Sequence, residues 1–272
     1  MNSITLFKRV VRSFIQSQSK SSLNLKHLDS GSLEVMEKLI QQELGKGSGA
    51  FSTADEVLAI KSVWGETRIE PKIIFDVGAH QGEWTDAALK IWPSASFYLF
   101  EPAHDLYLLL TEKYSSFQNI VVFNFAISNT NSEGVRLFGN LPNSGLASLT
   151  KRRLDHFDLE FDYSEIVNVR TLRDIMHQNG ISSINVLKID VEGEELNVLH
   201  GLKEKLTKVD LIQFEFGGCN IDSRTFFQDF WYLLTKHDFS FYRITPRGIV
   251  KQEKYHENLE TFTTTNYIAS SF

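Results

Sequence analysis

Ile73-Ile74-Phe75-Asp76-Val77-Gly78-Ala79-His80-Gln81-Gly82-Glu83-Trp84-Thr85 runs from an apolar strand through a glycine turn into the start of a helix. Glycines at 78 and 82 let the backbone pass close to a ligand where a Cβ would collide. Asp76 falls at the carboxyl end of the strand, the edge at which open α/β sheets bind ligands. A dinucleotide-binding turn would read G-x-G-x-x-G and aim a helix N-terminus at a pyrophosphate. This turn reads G-x-x-x-G behind an acid, which suits a cationic, phosphate-free ligand such as a sulfonium amino acid. A plain strand-to-helix turn without a ligand is the other reading of these residues taken alone.

The pattern around this segment repeats it. Lys72–Val77, Ser96–Glu101, Ile120–Ile127, Ile184–Asp190 and Val209–Phe216 are short runs, most of them apolar on both faces, as strands covered by helices on each side are. Helical patterns lie between them at Glu83–Trp92, His104–Tyr114, Thr171–Asn179 and Glu194–His200, closed by Pro93, Gly180 or Gly201 where a breaker is present. This alternation predicts an α/β fold with a parallel, doubly wound sheet. Phe226–Leu234 reads as a further helix, and Phe239–Ile244 with Phe262–Ala269 as an antiparallel pair at the sheet edge. Gly139–Tyr163 is the longest stretch without periodicity and is the expected lid.

Three more strand ends carry chemistry. Phe97-Tyr98-Leu99-Phe100-Glu101-Pro102 ends in a carboxylate 25 residues after Asp76, where it can accept both hydroxyls of a ribose. Val186-Leu187-Lys188-Ile189-Asp190-Val191-Glu192-Gly193-Glu194-Glu195 puts a lysine inside an apolar strand and four acids behind it. The helix dipole accounts for Glu194 and Glu195, but not for Asp190 and Glu192, which fall in the turn on the same edge as Asp76 and Glu101. Lys188 should pair with a carboxylate, because a buried unpaired ammonium is costly. Phe214-Glu215-Phe216 places a further acid between two aromatics, either as a base of raised pKa or as a group satisfied by Lys188 or backbone amides.

The chain has 272 residues, 42% of them apolar and 23% charged, an ordinary globular balance. Phenylalanine, with 21 residues, supplies material for a large aromatic core. A net charge of −6 gives no electrostatic case for a nucleic-acid partner. The one cysteine, Cys219, excludes an internal disulfide and fits a reducing compartment, so the cytoplasm is the expected location. No run of about 18 apolar residues exists to span a membrane. Residues 1–70 read as a helical extension, with helices at Leu33–Leu44 and Ala54–Trp64 and a Gly/Ser linker at Gly45–Gly49; residues 71–272 form the catalytic domain. Ile4, Phe7, Val10, Val11, Phe14 and Ile15, with Lys8, Arg9 and Arg12, outline a basic amphipathic helix over residues 4–15, and Ser17–Ser22 a joint behind it. That helix fits docking on the protein's own core or a second subunit, contact with an anionic membrane surface, or a transit peptide.

These residues resemble the FkbM family of methyltransferases from about Ile73 to Ala269. The likeness rests on Phe75–Gly82, Phe100-Glu101-Pro102, Ala126-Ile127-Ser128, Thr171-Leu172 and, most specifically, Lys188–Glu195 followed by Leu199-His200-Gly201. It implies a class I, Rossmann-like methyltransferase fold with a seven-stranded, mostly parallel sheet whose last strand is antiparallel. It also implies S-adenosylmethionine as methyl donor and O-methylation of a hydroxyl on a sugar or natural product, a small-molecule acceptor. Carried over, Asp76, Gly78, Ala79 and Gly82 surround the methionine part, Glu101 holds the ribose, and Ala126 and Ile127 lie near the adenine; His80, Thr85, Pro102 and Asp190 complete the expected donor site. Where the family has Asp after the leucine, this chain has Arg173.

A hydroxyl is a poor nucleophile, so a base must assist, and Asp190, Glu192 or Glu215, with His80 as a further candidate, is expected to orient and deprotonate it. No resident metal is expected, although carboxylates at one edge offer oxygen ligands of the kind Mg²⁺ takes. Lys151, Arg152 and Arg153 in the lid would instead suit an anionic, peptide-like acceptor methylated on nitrogen or carboxylate. A non-catalytic binding protein on the same fold would have lost the edge acids, and all are present.

Overall fold

The computed structural model describes residues 29–47, 52–65 and 68–272. The helix expected over 4–15, the Ser17–Ser22 joint and part of the Gly45–Gly49 linker lie outside these residues. The chain divides into two units between Leu39 and Ile40. In the first, the described residues form most of helix α1 (Ser30–Glu43); all that follows concerns the second.

Helix α2 (Thr53–Trp64) opens with a capping box, in which Ser52 Oγ accepts from the Asp55 amide at 3.3 Å and Asp55 Oδ2 from the Ser52 amide at 2.9 Å. Strand β1 (Ile73–Val77), helix α3 (Glu83–Ile91), strand β2 (Ser96–Phe100), helix α4 (His104–Lys113) and strand β3 (Ile120–Phe123) then alternate as expected. The strand predicted over Ile120–Ile127 breaks in two. Asn124 turns its side chain back to donate to the carbonyls of Glu101 and Pro102, at 3.0 and 2.8 Å, and β4 (Ala126–Ile127) leaves for another sheet.

That second sheet, in the order β4-β6-β5, was not legible beforehand. It contains β5 (Ser132–Gly139) and β6 (Tyr163–Arg170), whose buried side chains Leu137, Val167 and Val169 cover only one face. Between them, residues 140–162 are irregular apart from one short 3₁₀ turn, as expected of the lid. Helix α5 (Leu172–Gln178), capped by the Thr171 hydroxyl, strand β7 (Ile184–Ile189), helix α6 (Glu195–Leu202) and strand β8 (Val209–Phe216) restore the alternation. Arg173 lies on the half-buried side of α5 beside Asp174. The chain ends with α7 (Cys219–Ser223), α8 (Phe227–Thr235), β9 (Ser240–Thr245), β10 (Gly248–Gln252) and β11 (Thr265–Ser270).

The main sheet has eight strands rather than seven, in the order β10-β9-β11-β8-β7-β1-β2-β3. Strands β3, β2, β1, β7 and β8 pair in parallel, and β11 is antiparallel to both β8 and β9, as the family resemblance implies. The predicted pair of late strands does form, but β11 lies between β8 and β9 and not at the edge. The edge belongs to β10, the additional strand, hidden in sequence because only partly buried residues such as Ile249 mark it. Helices cover both faces. Val57, Ile60 and Trp64 of α2 share one core with Trp84 of α3, Leu110 of α4 and Phe97 and Leu99 of β2. On the other face Phe214 stacks on Phe230 at 4.8 Å between ring centroids and lies 5.8 Å from Tyr267, which is where much of the phenylalanine is used.

The order reverses at β1, with β2 on one side and β7 on the other, so a crevice opens beyond its carboxyl end. Helix α6 is seated against that edge through Gly201, where a Cβ would stand 2.4 Å from the Ser128 carbonyl oxygen. Alanine normally gains up to ~1 kcal/mol over glycine inside a helix, whereas overpacking of this kind costs about 1–3 kcal/mol. Gly201→Ala is therefore expected to lose about 1 kcal/mol net, read as a lower urea midpoint with an unchanged slope. A raised midpoint would show that α6 does not sit so close.

Candidate active site

The carboxyl ends of β1, β2 and β7 are tied together by backbone hydrogen bonds. The amides of Gly78 and Ala79 donate to Phe100 O at 3.0 and 3.1 Å, and the Asp190 amide donates to Val77 O at 3.0 Å. Gly78, at φ +79°, leaves no room for a side chain, because a Cβ would lie 1.8 Å from Asp190 O. The turn that follows places the non-glycine His80 at φ 49°, a strained left-handed conformation held by its surroundings.

Lys188 stands at the centre of this edge, almost wholly buried. Its ammonium donates to Gly78 O at 2.7 Å and lies 3.0 Å from Asp76 and 3.7 Å from Asp190. Burial alone would lower its pKa, but the two carboxylates more than reverse that, and the net direction is upward. The sequence expectation of a carboxylate partner is met by Asp76 and Asp190, not by Glu215. Asp76 has no exposed surface and also accepts from Thr85 Oγ1 at 2.7 Å.

Glu101 is buried, yet each of its oxygens has a backbone donor: His80 N at 2.8 Å and Ala103 N at 2.9 Å. Burial pushes its pKa up to about 7 against these two bonds. Glu195 is the buried support of the following turn and accepts from Val191 N at 3.1 Å and Gly193 N at 3.0 Å; burial pushes it, too, up to about 7. Glu194 accepts from Ser128 Oγ and Asn197 Nδ2, both at 2.9 Å. The dipole reading of these two acids was therefore incomplete, since each closes a specific polar contact.

Glu192 pairs with Arg152 of the lid, and Arg152 also lies 3.7 Å from Asp222. Burial pushes Glu192 up to about 8, helped by Asp190 and opposed by Arg152. The basic run of the lid is spent internally: Lys151 pairs with Asp162 at 2.8 Å and Arg153 with Asp155 at 3.1 Å. Glu215 is half-buried, and burial with the surrounding acids raises its pKa well above the ordinary carboxylate range. Among the described residues, no three His, Cys, Asp or Glu side chains are grouped so as to hold a metal ion.

Two cavities meet at this edge. The first is a cleft open to solvent. The strand-end residues Gly78, His80, Glu101, Pro102, Asp190 and Glu192 line it, with Ala126 and Ile127 on an apolar side. Lid residues Ser144 to Leu149 roof it, and the Ser148 hydroxyl donates to Glu192 O at 2.7 Å. The second is also open to solvent and shares Gly78, His80, Gly145 and Asp190 with the first. It adds Ala79 and, from α2, Thr53 and Glu56.

Four of the residues singled out in sequence lie on neither wall. Asp76 and Thr85 sit behind Lys188, Glu215 lies off both cavities, and Gly82 is closed by the Tyr114 hydroxyl, which donates to its carbonyl at 2.9 Å. Conversely, Glu56 was not read as a site residue, and Arg152, read as a cation for an anionic acceptor, instead bridges Glu192 and Asp222. A sequence signal for Glu56 existed in Gln213, a polar residue directly between apolar neighbours in β8, whose buried amide needs a partner.

The chain is similar to several known methyltransferases. A 2-O-methyltransferase, NoeI, of Sinorhizobium fredii is 29% identical over 152 residues, which cover 53% of this chain and 63% of that protein. The chain therefore spans less than two thirds of the curated relative's length. Among solved structures, a methyltransferase FkbM from Methylobacillus flagellatus KT is 16% identical, covering 75% of this chain and 45% of that one, with a TM-score of 0.46. The plantazolicin methyltransferase BpumL, solved with S-adenosylhomocysteine, is 10% identical, covering 90% and 91%, with a TM-score of 0.45. The methyltransferase FkbM domain model matches residues 76–241, from the Asp76 turn through strand β9, and the chain belongs to that family.

Proposed function

We propose that this protein is an S-adenosylmethionine-dependent O-methyltransferase acting on a hydroxyl of a small-molecule acceptor such as a sugar or natural product. One observation carries the reading: a cavity with an amide-anchored carboxylate, Glu101, at its β2 end and further carboxylates at its β7 end. The residues present fit the donor. Glu101 keeps free lone pairs for ribose hydroxyls, Ala126 and Ile127 offer an apolar wall to adenine, and Asp190, Glu192 and Glu194 give the negative field a sulfonium needs. Bound there, the donor supplies an electrophilic methyl group, and no protein nucleophile is required.

The protein's part is then orientation, exclusion of water and handling of one proton. Holding two reactants in line is worth up to ~7–11 kcal/mol in favourable cases. The rigid turn from Gly78 to Gly82 and the lid strapped through Arg152–Glu192 suit that task. Asp190 stands where the two cavities join and is the acid best placed to orient a hydroxyl; Glu192 is engaged by Arg152, and Glu215 lies off the wall. Oxygen as the accepting atom is supported by the relative named a 2-O-methyltransferase.

Isothermal titration with S-adenosylhomocysteine should give micromolar binding, weakened at least tenfold in Glu101→Ala; equal affinities would remove Glu101 from the site. The raised carboxyls add a pH signature. Glu101 and Glu192, pushed up to about 7 and about 8, are largely protonated at pH 6 and ionised above pH 8. A cationic ligand favours the ionised forms, so S-adenosylmethionine should bind about fivefold more tightly at pH 8.5 than at pH 6, relative to the neutral thioether product. Parallel pH profiles for the two ligands would show that no carboxylate faces the sulfonium.

A further inference from the structure

The second cavity extends beyond the first; of the expected donor residues, Ala79 lines the second only, and Gly78, His80 and Asp190 line both. It lies between α2, the β1 turn and the start of α3, and touches the first cavity along Gly78, His80, Gly145 and Asp190. Two of its wall residues, Thr53 and Glu56, precede the stretch matched by the family model.

Glu56 is held with unusual care for a residue on a helix at the edge of a domain. Gln213 of β8 donates to one oxygen at 2.7 Å, and Asn266 of β11 donates to the other at 3.4 Å. The Gln213 amide is itself oriented by Trp84 of α3, whose indole donates to its oxygen at 2.9 Å, and both side chains are buried. Three elements thus fix one carboxylate at the wall of an open recess. All its donors are neutral amides, whereas Asp190 across the recess is engaged by the Lys188 ammonium. Burial pushes Glu56 up to about 7, the range in which a carboxylate exchanges a proton near neutral pH.

We infer that this recess is the acceptor subsite, that it takes a neutral polyhydroxylated molecule such as a glycoside, and that Glu56 receives the proton of the hydroxyl being methylated. The inference rests on the donor reading of the first cavity. Glu56, Glu83 and Asp190 line the recess together with Gln81 and Thr53, against the cation Lys188, which is already paired with Asp76 and Asp190, so hydroxyl groups find acceptors and a neutral acceptor is favoured over an anionic one. In the transfer step, the hydroxyl oxygen forms the new bond to the methyl carbon. The electron pair of the broken carbon–sulfur bond remains on sulfur as a neutral thioether, and the hydroxyl proton passes to Glu56. Carboxylate and sulfonium are consumed, carboxylic acid and thioether result, and charge balances.

A purely structural role for Glu56, anchoring α2 to the sheet, would survive Glu56→Gln, whose amide oxygen still accepts from Gln213 and whose NH2 can donate to the Asn266 oxygen once that amide flips. Three proteins test the assignment: wild type, Glu56→Gln, and Thr53→Trp, which fills the recess from its rim. Each is saturated with S-adenosylhomocysteine and probed by saturation-transfer NMR with methyl α-glucoside and with glucuronate. The glucoside should bind wild type and Glu56→Gln alike, lose at least fivefold of its signal in Thr53→Trp, and be favoured over glucuronate throughout. Affinity for S-adenosylhomocysteine should stay within about twofold in all three. On any glycoside that wild type methylates, Glu56→Gln should turn over at least ~100-fold more slowly. Glucoside binding that survives the plug, equal binding of glucuronate, or wild-type turnover by Glu56→Gln would overturn the assignment. A tenfold loss of S-adenosylhomocysteine affinity in Glu56→Gln would do so too, by giving the recess to the donor. Failure of wild type itself to bind S-adenosylhomocysteine would overturn the donor reading beneath it.

Discussion

Lys188 carries a full charge into strand β7, between apolar neighbours, and the free energy of that placement sets terms for everything near it. Moving an ammonium out of water costs several kcal/mol even after the protein relaxes, and only good geometry with several partners offsets it. The partners here are Asp76, Asp190 and the Gly78 carbonyl. They come from two different strand ends, so satisfying one charge fixes the relative position of the β1 turn and the β7 turn. Gly78 is then forced to be glycine by the same approach, because its Cα faces the Asp190 carbonyl too closely for a side chain. Asp76 is better understood through this interaction than as a direct ligand contact: it is the buried counter-charge that lets Lys188 exist where it does.

With Asp76 committed, the remaining carboxylates are in excess. Glu101, Asp190, Glu192, Glu194, Glu195, Glu215 and Glu56 crowd one edge, and Arg152 is the other cation in hydrogen-bonding contact with them. Like charges this dense cannot all ionise at neutral pH without cost. The protein spends backbone amides on two of them, Glu101 and Glu195, and holds several near their titration range by burial. Each raised carboxyl keeps a proton in the folded state that the unfolded chain would already have lost, so this edge costs stability as pH rises from about 4.5 towards 8. A fold that bears such a cost at a ligand-binding edge is arranged for a positively charged visitor, and stability is exchanged there for binding.

How much of this was legible depended on whether burial was two-sided. Strands β1, β2, β7 and β8 sit between helix layers, so apolar residues occupy both their faces, and their ends are marked by the acids themselves. Strands β5 and β6 bury one face only, and Ile166 breaks the expected alternation by pointing to solvent, so the second sheet left little trace. The run at 120–127 reads as one strand because nothing in its composition announces that Asn124 will turn back onto the Glu101-Pro102 carbonyls. At the site, type and edge were readable while pairing was not. Lys188 had to find an acid, but which acid is settled by register between strands that are distant in sequence. Arg152 read as available to an acceptor because its partners, Glu192 in the turn after β7 and Asp222 in α7, lie far from it in sequence.

The same distinction separates the two cavities. The groups of the proposed donor site hang on strand ends within residues 76–241, the stretch that the family model matches, where local sequence and topology place them together. The second recess is assembled across the chain: Glu56 from α2, Trp84 from α3, Gln213 from β8 and Asn266 from β11. No short motif can encode such a set, since each member is an ordinary residue until the sheet brings it to the others. An enzyme that keeps one donor and changes acceptors needs its specificity in this second category, where substitutions leave the Lys188 cluster undisturbed. Gly78, His80, Gly145 and Asp190 form the boundary between the two spaces. Two of them are glycines, which add no side-chain bulk there, and the others are held in place by the turn and by Lys188, so a reacting pair can meet across a rigid partition whose far side is free to vary.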